Sequence, residues 1–472
     1  MSIAGELARR VTALRYEDLP PQAVYWCRIA VLDTLGVGLA GSVEEPPRLV
    51  EETLEPRDGP CLVLGSRRRV SALDAALVNG TAAHVLDFDN TASNMGGHVS
   101  AVMVPALLAA AEACDASGRD LLLAHAAGYE VGGRIGCAVN FHHSEKGWHP
   151  TWTLGVFAVA AACARLLKLS AAQTETALAI STSLAGGTKA NFGTMTKSLH
   201  AGHCARAGLW AALLARKGFS ANPEAFEHKQ GFFNVFNGAG HYDAARVLER
   251  WADPLEIVEP GASYKLYPCC YSTHSAVEAA LTLVRRHGKF DAGTVAAVDI
   301  TVAPPRLPHT DRPDPKTALE AKFSIQYCVT RALLDGRVVL DDFENDAFLD
   351  PRVRAVLPRV KAAAYVGRTF DSDDPYDVEI KVTLSDGTVR AITGSYPLGR
   401  TAANPIPSEQ LRSKFEDCAQ RVLTPQAAAG AARALESFEQ FESVREFTRL
   451  IEPAARNPEA AGEPRRKTAA GH

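Results

Sequence analysis

The sequence predicts a mainly α protein: a large all-α helical domain, discontinuous in sequence, with a smaller α+β lid domain. Three observations predict it. Up to about residue 263 alanine and leucine recur at helical spacing with almost no strand signal, β-branched alternating segments appear only after Tyr264, and alanine-rich helical periodicity returns after Ser408. At 472 residues the chain has room for two or three domains.

Helices are expected near 5–15, 22–40, 71–86, 101–115, 120–136, 152–168, 172–185, 198–217 and 223–228, with glycine or proline between them. Small residues dominate AVMVPALLAAAEA (101–113) and FAVAAACARLL (157–167), which lets helix axes approach closely. After Tyr264, AAVDITV (296–302) alternates as a strand. Residues 378–384 and 388–393 flank Ser385-Asp386-Gly387 as a hairpin, and helical patterns at 275–287, 317–335 and 352–362 intervene. The α+β lid is therefore placed at 265–404, and the helical domain at 1–264 and 405–452. The Pro-, Ala- and charge-rich segment 453–472 is expected to be a mobile tail.

Composition excludes several function classes. Apolar residues make up 47% and charged residues 22%, an ordinary globular mixture. With 50 Lys and Arg against 54 Asp and Glu, the net charge of −4 gives no field that gathers nucleic acid or a membrane surface. Ten cysteines include one adjacent pair, Cys269-Cys270, and no repeated C-x-x-C spacing, which points to reduced, buried thiols rather than zinc or an iron–sulfur cluster. The amphipathic N-terminus lacks the charged start and apolar run of a signal peptide. Apolar runs such as 154–167 stop short of the roughly 20 residues that span a bilayer. A cytoplasmic protein is expected.

Four polar islands stand out in this apolar background. The first, TAAHVLDFDNTASNMGGHVS (81–100), ends a helical run in Asp87, Asp89, Asn90 and Thr91, then turns through Gly96-Gly97 to His98. The second, FHHSEKGWHPTWT (141–153), puts His149 at the start of a helix, where unpaired amides favour an anion. The third, GTMTKSLHAGH (193–203), supplies Lys197 and His200. The fourth, KLYPCCYSTH (265–274), supplies Lys265 and His274 at the domain boundary. Cations of this kind hold carboxylates, while a base of near-neutral pKa removes a proton alpha to one of them, so the expected partner is a small anionic polycarboxylate. Residues 187–198 lack the phosphate-loop spacing, His200 and His203 lack a nearby carboxylate for a metal, and neither G-x-S-x-G nor G-x-G-x-x-G occurs. No metal and no organic cofactor are expected.

The segments HVLDFDNT with GGHVS, GWHPTWTLGVFAVAAACARLL, GTMTKSLHAGHCARAGLWAALLARKGF, KLYPCCYSTHSAVEAA and AKFSIQYCVTRALLDG, in that order, resemble the MmgE/PrpD family of 2-methylcitrate dehydratases, cis-aconitate decarboxylases and iminodisuccinate epimerases. The resemblance implies a helical domain interrupted by a lid, an active site in the cleft between them, no cofactor and a homodimer. Carried over by motif position, it implies site roles for Asp87, Thr91, His98, His149, Lys197, Lys265, His274 and Tyr327. The first island departs from many relatives in reading DFDNT and GHVS, with a shorter loop between Thr91 and His98.

The leading expectation is a 2-methylcitrate-type dehydratase, with His98 or His149 as base or acid, Lys197 and Lys265 as carboxylate clamps, and Asp87 orienting a histidine, the ring of His98 being within reach of Asp87 or Asp89. Decarboxylation and epimerisation pass through the same carbanion-like intermediate and stay open. A silent helical scaffold is the rival from another class, and it predicts islands scattered over the surface rather than gathered in one cleft.

Overall fold

In the computed structural model, which describes residues 2–55, 57–308, 310–366, 377–394, 397–399 and 404–454, the chain opens with α1 (Ile3–Ala13), capped by the Ser2 hydroxyl accepting from Gly5 N. Proline starts α2 (Pro21–Gly41). By length and composition α2 could cross a membrane, against the expectation that no apolar run is long enough, yet it lies mostly buried in the protein core with Asp33 paired to Lys414 at its middle. Next come α3 (Glu45–Glu52) and an antiparallel ladder of β1 (Asp58–Leu62) with β2 (Arg69–Val70), in a stretch read as strand-free because two such short strands carry little alternation.

The helical core continues through α4 (Ala72–Val85), a two-residue strand β3 (Thr91–Ala92), α5 (Val99–Cys114), α6 (Gly118–Val139), the short α7 (His142–Glu145) and α8 (Pro150–Thr153), α9 (Gly155–Leu166), α10 (Ala171–Ser181) and α11 (Thr196–Arg216). The helix expected over 152–168 is thus broken at Leu154. Residues 223–228 form turns rather than a helix, because the Ala225 and Phe226 carbonyls accept from Phe232 and Phe233 at the start of α12 (Phe232–Asn237). One close approach positions the site. α4 and α11 run antiparallel and cross where a Cβ on Gly202 would lie 2.2 Å from Leu77 O. Only glycine fits there, and the crossing brings the end of α4 to the start of α11. Strand β4 (Ala262–Ser263) then pairs with β3, which carries the residues after it alongside the first island.

The α+β segment contains α13 (His274–His287), β5 (Val295–Val302), α14 (Ala318–Lys322), α15 (Ile325–Asp335), α16 (Pro351–Val356), β6 (Val360–Ala364), β7 (Val378–Leu384) and β8 (Val389–Gly394), in a sheet of order β6-β5-β7-β8. The expected hairpin is present as β7 and β8. Two helices differ from expectation. The stretch 317–335 is split because Ser324 caps a new helix, accepting from Tyr327 N. The stretch 352–362 ends early near Pro358, and its alanines become β6, paired in parallel with β5; tertiary pairing overrides helical propensity there.

The chain returns through α17 (Ser408–Ala419), α18 (Pro425–Leu435) and α19 (Val444–Leu450). Leu411, Phe415, Leu435 and Phe447 join the same hydrophobic core as α2, α5 and α6, whereas Val277, Val298, Val329 and Ile380 belong to a second core. All ten cysteines are unpaired and eight are buried. Apart from Pro453 and Ala454, the expected mobile tail lies outside the described residues. Gly202→Ala is expected to cost about 1–3 kcal/mol through overpacking at the α4–α11 crossing. A thermal melt checks this, and wild-type stability in the variant would show the crossing to be slack.

Candidate active site

Just past the end of α4, Asp87 adopts the left-handed backbone conformation (φ 52°), its N–H donating to His84 O. Aspartate is one of few residues besides glycine that enter this region readily. The turn aims its carboxylate at two ammonium groups: Oδ1 lies 2.8 Å from Lys197 Nζ and Oδ2 3.3 Å from Lys265 Nζ. Lys265 also donates to the Asp87 carbonyl. Burial alone would raise the pKa of Asp87, but Lys197, Lys265 and His98 outweigh it and hold the carboxyl well below the usual range. Burial likewise opposes the charge on Lys265, yet Asp87 and Asp89 raise its pKa above the ordinary lysine value.

The histidines gather around a second carboxylate. His98 precedes α5, and its N–H donates to Thr151 Oγ1 at 3.1 Å; Gly97 makes this approach possible, since a Cβ there would lie 2.7 Å from Thr151 N. His98 Nδ1 lies 2.8 Å from Asp89 Oδ2, and the same carboxylate is 3.1 Å from His84 Nδ1. Burial would raise the pKa of Asp89, but both histidines hold it far below the usual carboxylate range. With a carboxylate on Nδ1, His98 keeps its proton there and presents Nε2, which lies 3.7 Å from Asp87 Oδ1. Burial lowers the pKa of His84 to about 4, so its ring is neutral near pH 7. The side chains of His98 and Lys197 retain 12% and 16% exposure while those of His84 and Asp89 have none, so the first pair forms the reachable edge.

His149 stands immediately before α8 with Nδ1 3.0 Å from His200 Nδ1, and Phe192 lies edge-on at 4.8 Å. Burial, followed by the surrounding positive charges, pushes both pKa values down, so this is a pair of neutral imidazoles. The His84 ring connects the two groups, 4.4 Å from His98 and 6.0 Å from His149 between centroids.

The fold therefore brings Asp87, His98, His149, Lys197, His200 and Lys265 together, with Thr91 in the adjoining β3. Two expected residues are placed elsewhere. His274 is buried at the start of α13, its ring against Tyr267 and Tyr271 and its Nε2 3.3 Å from Cys269 O. Tyr327 is buried in the second core, its hydroxyl donating to Asp342 O and accepting from Arg331 Nε. Both face inward because α13 and α15 carry amphipathic patterns whose apolar sides include these positions. Of the two carboxylates expected to orient the His98 ring, Asp89 lies within hydrogen-bond distance, 2.8 Å from Nδ1, and Asp87 stands 3.7 Å from Nε2.

Sequence reasoning missed His84, which looked like one more residue of an apolar helix although it stands five positions before Asp89. It also missed Lys322, which reaches from α14 to donate to Leu86 O at 3.2 Å, and Cys270, whose thiol is raised by burial and by nearby Asp87. No local pattern marks either. Ligand atoms of His84, Asp87, Asp89 and His98 lie within 4.8 Å of one another, so this is the set that could hold a metal. Its carboxylates already meet two ammonium groups and two imidazoles, and a metal would have to displace them.

Comparison with known proteins adds two matches that together cover most of the chain. Residues 5–245 match the MmgE/PrpD N-terminal domain and residues 267–440 the MmgE/PrpD C-terminal domain. The chain belongs to the MmgE/PrpD family. It is 29% identical to a cis-aconitate decarboxylase of Mus musculus over 98% of this chain and 95% of that one, and 30% identical to that of Homo sapiens over 95% and 94%. A 2-methylcitrate dehydratase of Cupriavidus necator is 31% identical over 42% of each chain. Within this MmgE/PrpD chain, Asp89→Asn is expected to lower turnover about 10²–10⁴-fold by freeing the His98 tautomer. Steady-state kinetics on a variant with native circular dichroism checks this; unchanged turnover would remove Asp89 from that role.

Proposed function

We propose that this MmgE/PrpD chain is a cofactor-independent lyase that decarboxylates a cis-aconitate-type unsaturated tricarboxylate. The observation that carries this choice of reaction is identity sustained along the chain: the decarboxylases of Mus musculus and Homo sapiens are 29% and 30% identical over 98% and 95% of it, whereas a 2-methylcitrate dehydratase matches either 42% of it, as in Cupriavidus necator, or 83% of it at 25% identity, as in Yarrowia lipolytica. Dehydration of a 2-methylcitrate-type substrate, the first expectation from sequence, has the weaker support.

The site's residues suit that chemistry. As the bond from a CH₂ carbon to its carboxylate breaks, the electron pair forms a new C=C bond. The old double bond's pair moves to the carbon beside another carboxylate, that carbon takes a proton, and CO₂ leaves. Such a step needs cations at the remaining carboxylates and a proton donor at carbon. Lys197, on the reachable edge, is the carboxylate clamp. The imidazolium form of His98 delivers its Nε2 proton and is left as the Nδ1–H tautomer that Asp89 holds, and the neutral His149–His200 pair offers a hydrogen bond to a second carboxylate. Lys265, held against Asp87, contributes positive potential.

Residues 265–404 would serve as the lid over the helical unit of 1–264 and 405–452, a division supported by the two hydrophobic cores. A homodimer is what the family resemblance implies.

Incubation with cis-aconitate, 2-methylcitrate, citrate and iminodisuccinate in D₂O, followed by NMR, tests the reaction. CO₂ release from cis-aconitate with one deuterium in the product is expected, both before and after exhaustive chelation. Water loss from 2-methylcitrate without CO₂ release would overturn decarboxylation, and activity lost to a chelator and restored by one divalent metal would shift the chemistry to the His84, Asp87, Asp89 and His98 set. Lys197→Ala is expected to weaken substrate binding about 10–100-fold, because a charged hydrogen bond present in the ground state is lost. Calorimetric titration reads this, and wild-type affinity would refute the clamp.

A further inference from the structure

We propose that Lys414, together with Asp33, is a positioning residue of the active site, although neither belongs to any of the four polar islands. The inference rests on the acid–base reading of Asp87, Asp89 and His98.

Lys414 lies in α17, and its ammonium has a partner for each of its three protons: Asp33 Oδ1 at 2.6 Å, Phe88 O at 2.8 Å and Lys265 O at 2.8 Å. It also sits 3.8 Å from the centroid of the Phe88 ring. Asp33 in turn accepts from Asn90 N at 3.1 Å and from Asn90 Nδ2 at 3.0 Å through its second oxygen. The two side chains are only 5% and 0% exposed, so the pair is screened little by solvent.

The partners are the decisive feature. Phe88 separates Asp87 from Asp89, Asn90 follows them, and Lys265 faces Asp87. One buried ion pair thus fixes the backbone of the turn that carries both site carboxylates and the backbone of the lysine that neutralises one of them. The hydrogen bonds go to main-chain atoms and to a side chain away from the reachable edge, so Lys414 touches the chemistry only through those residues. Its effect falls on geometry rather than on substrate binding. A misplacement of about 1 Å can cost about 10²-fold in rate.

The test uses two variants of the full-length protein. Lys414→Met alone strands the buried Asp33 charge and is expected to destabilise the fold. The double variant Asp33→Asn/Lys414→Met removes both charges of this pair, so neither is left stranded, and it is expected to fold. In it, kcat for cis-aconitate should fall about 10²-fold with KM little changed. The NMR titration of the His98 ring, assigned by its loss in His98→Gln, should move from the wild-type curve. Arg421→Gln, which breaks the surface pairs that the turn after α17 makes with Asp341 and Glu344, controls for simple loosening of that end of the helix and should change neither quantity. A folded double variant with wild-type kcat and a wild-type His98 titration would overturn the proposal. Should the wild-type protein fail to act on cis-aconitate, the reading of the reaction fails, while the His98 titration still decides whether Lys414 positions the site.

Discussion

The site depends on one partly buried carboxylate. Asp87 sits between two lysine ammonium groups that come from positions 110 and 178 residues further along the chain. In water such pairs contribute little, but here neither Lys197 nor Asp87 is more than one-fifth exposed, and Lys265 is almost wholly buried. Removing Asp87 would leave two ammonium groups close together without compensation, and breaking a buried pair in this way costs about 3–5 kcal/mol. The left-handed turn, the α4–α11 crossing and the β3–β4 pairing can all be seen as what it takes to bring those three charges into contact.

Helix ends supply the rest. His98 immediately precedes α5, Lys197 lies in the first turn of α11, and Asp87 follows the last turn of α4. The first backbone N–H groups of α11 are already taken by Thr194 and Met195, so what this helix start offers an anion is the Lys197 ammonium together with the partial positive charge of the helix end. Placing the reactive side chains at termini also keeps them out of the tightly packed helix faces. Where an expected residue lies within a packed face instead, as with Tyr327 in α15, it is taken up by the core.

The reaction itself is less firmly written in the residues than the site is. Dehydration, decarboxylation and epimerisation of polycarboxylates all need cations, a proton carrier and a stabilised carbanion-like intermediate, and the same lysines and histidines serve each. Similarity along nearly the whole chain to cis-aconitate decarboxylases supplies the preference, because the shape of a substrate cavity is set by many positions rather than by the shared acid–base set.

The sequence by itself determined the family, the mainly α character, the change of composition near Tyr264 and its reversal near Ser408, because helical periodicity and short motifs are local properties of the chain. It also located six polar residues that meet: Asp87, His98, His149, Lys197, His200 and Lys265. Only tertiary structure decided which carboxylate orients His98, that His84 links the imidazoles, that His274 and Tyr327 face inward, and that 360–364 pairs as a strand. Each of these turns on contacts between segments far apart in the chain. Lys414 is the clearest case: it looks like an ordinary lysine on an amphipathic helix, and its importance comes from a carboxylate 381 positions away and two carbonyls that only the folded chain presents. Sequence periodicity reports which side of an element is apolar, but which buried polar group another will meet depends on how the elements pack.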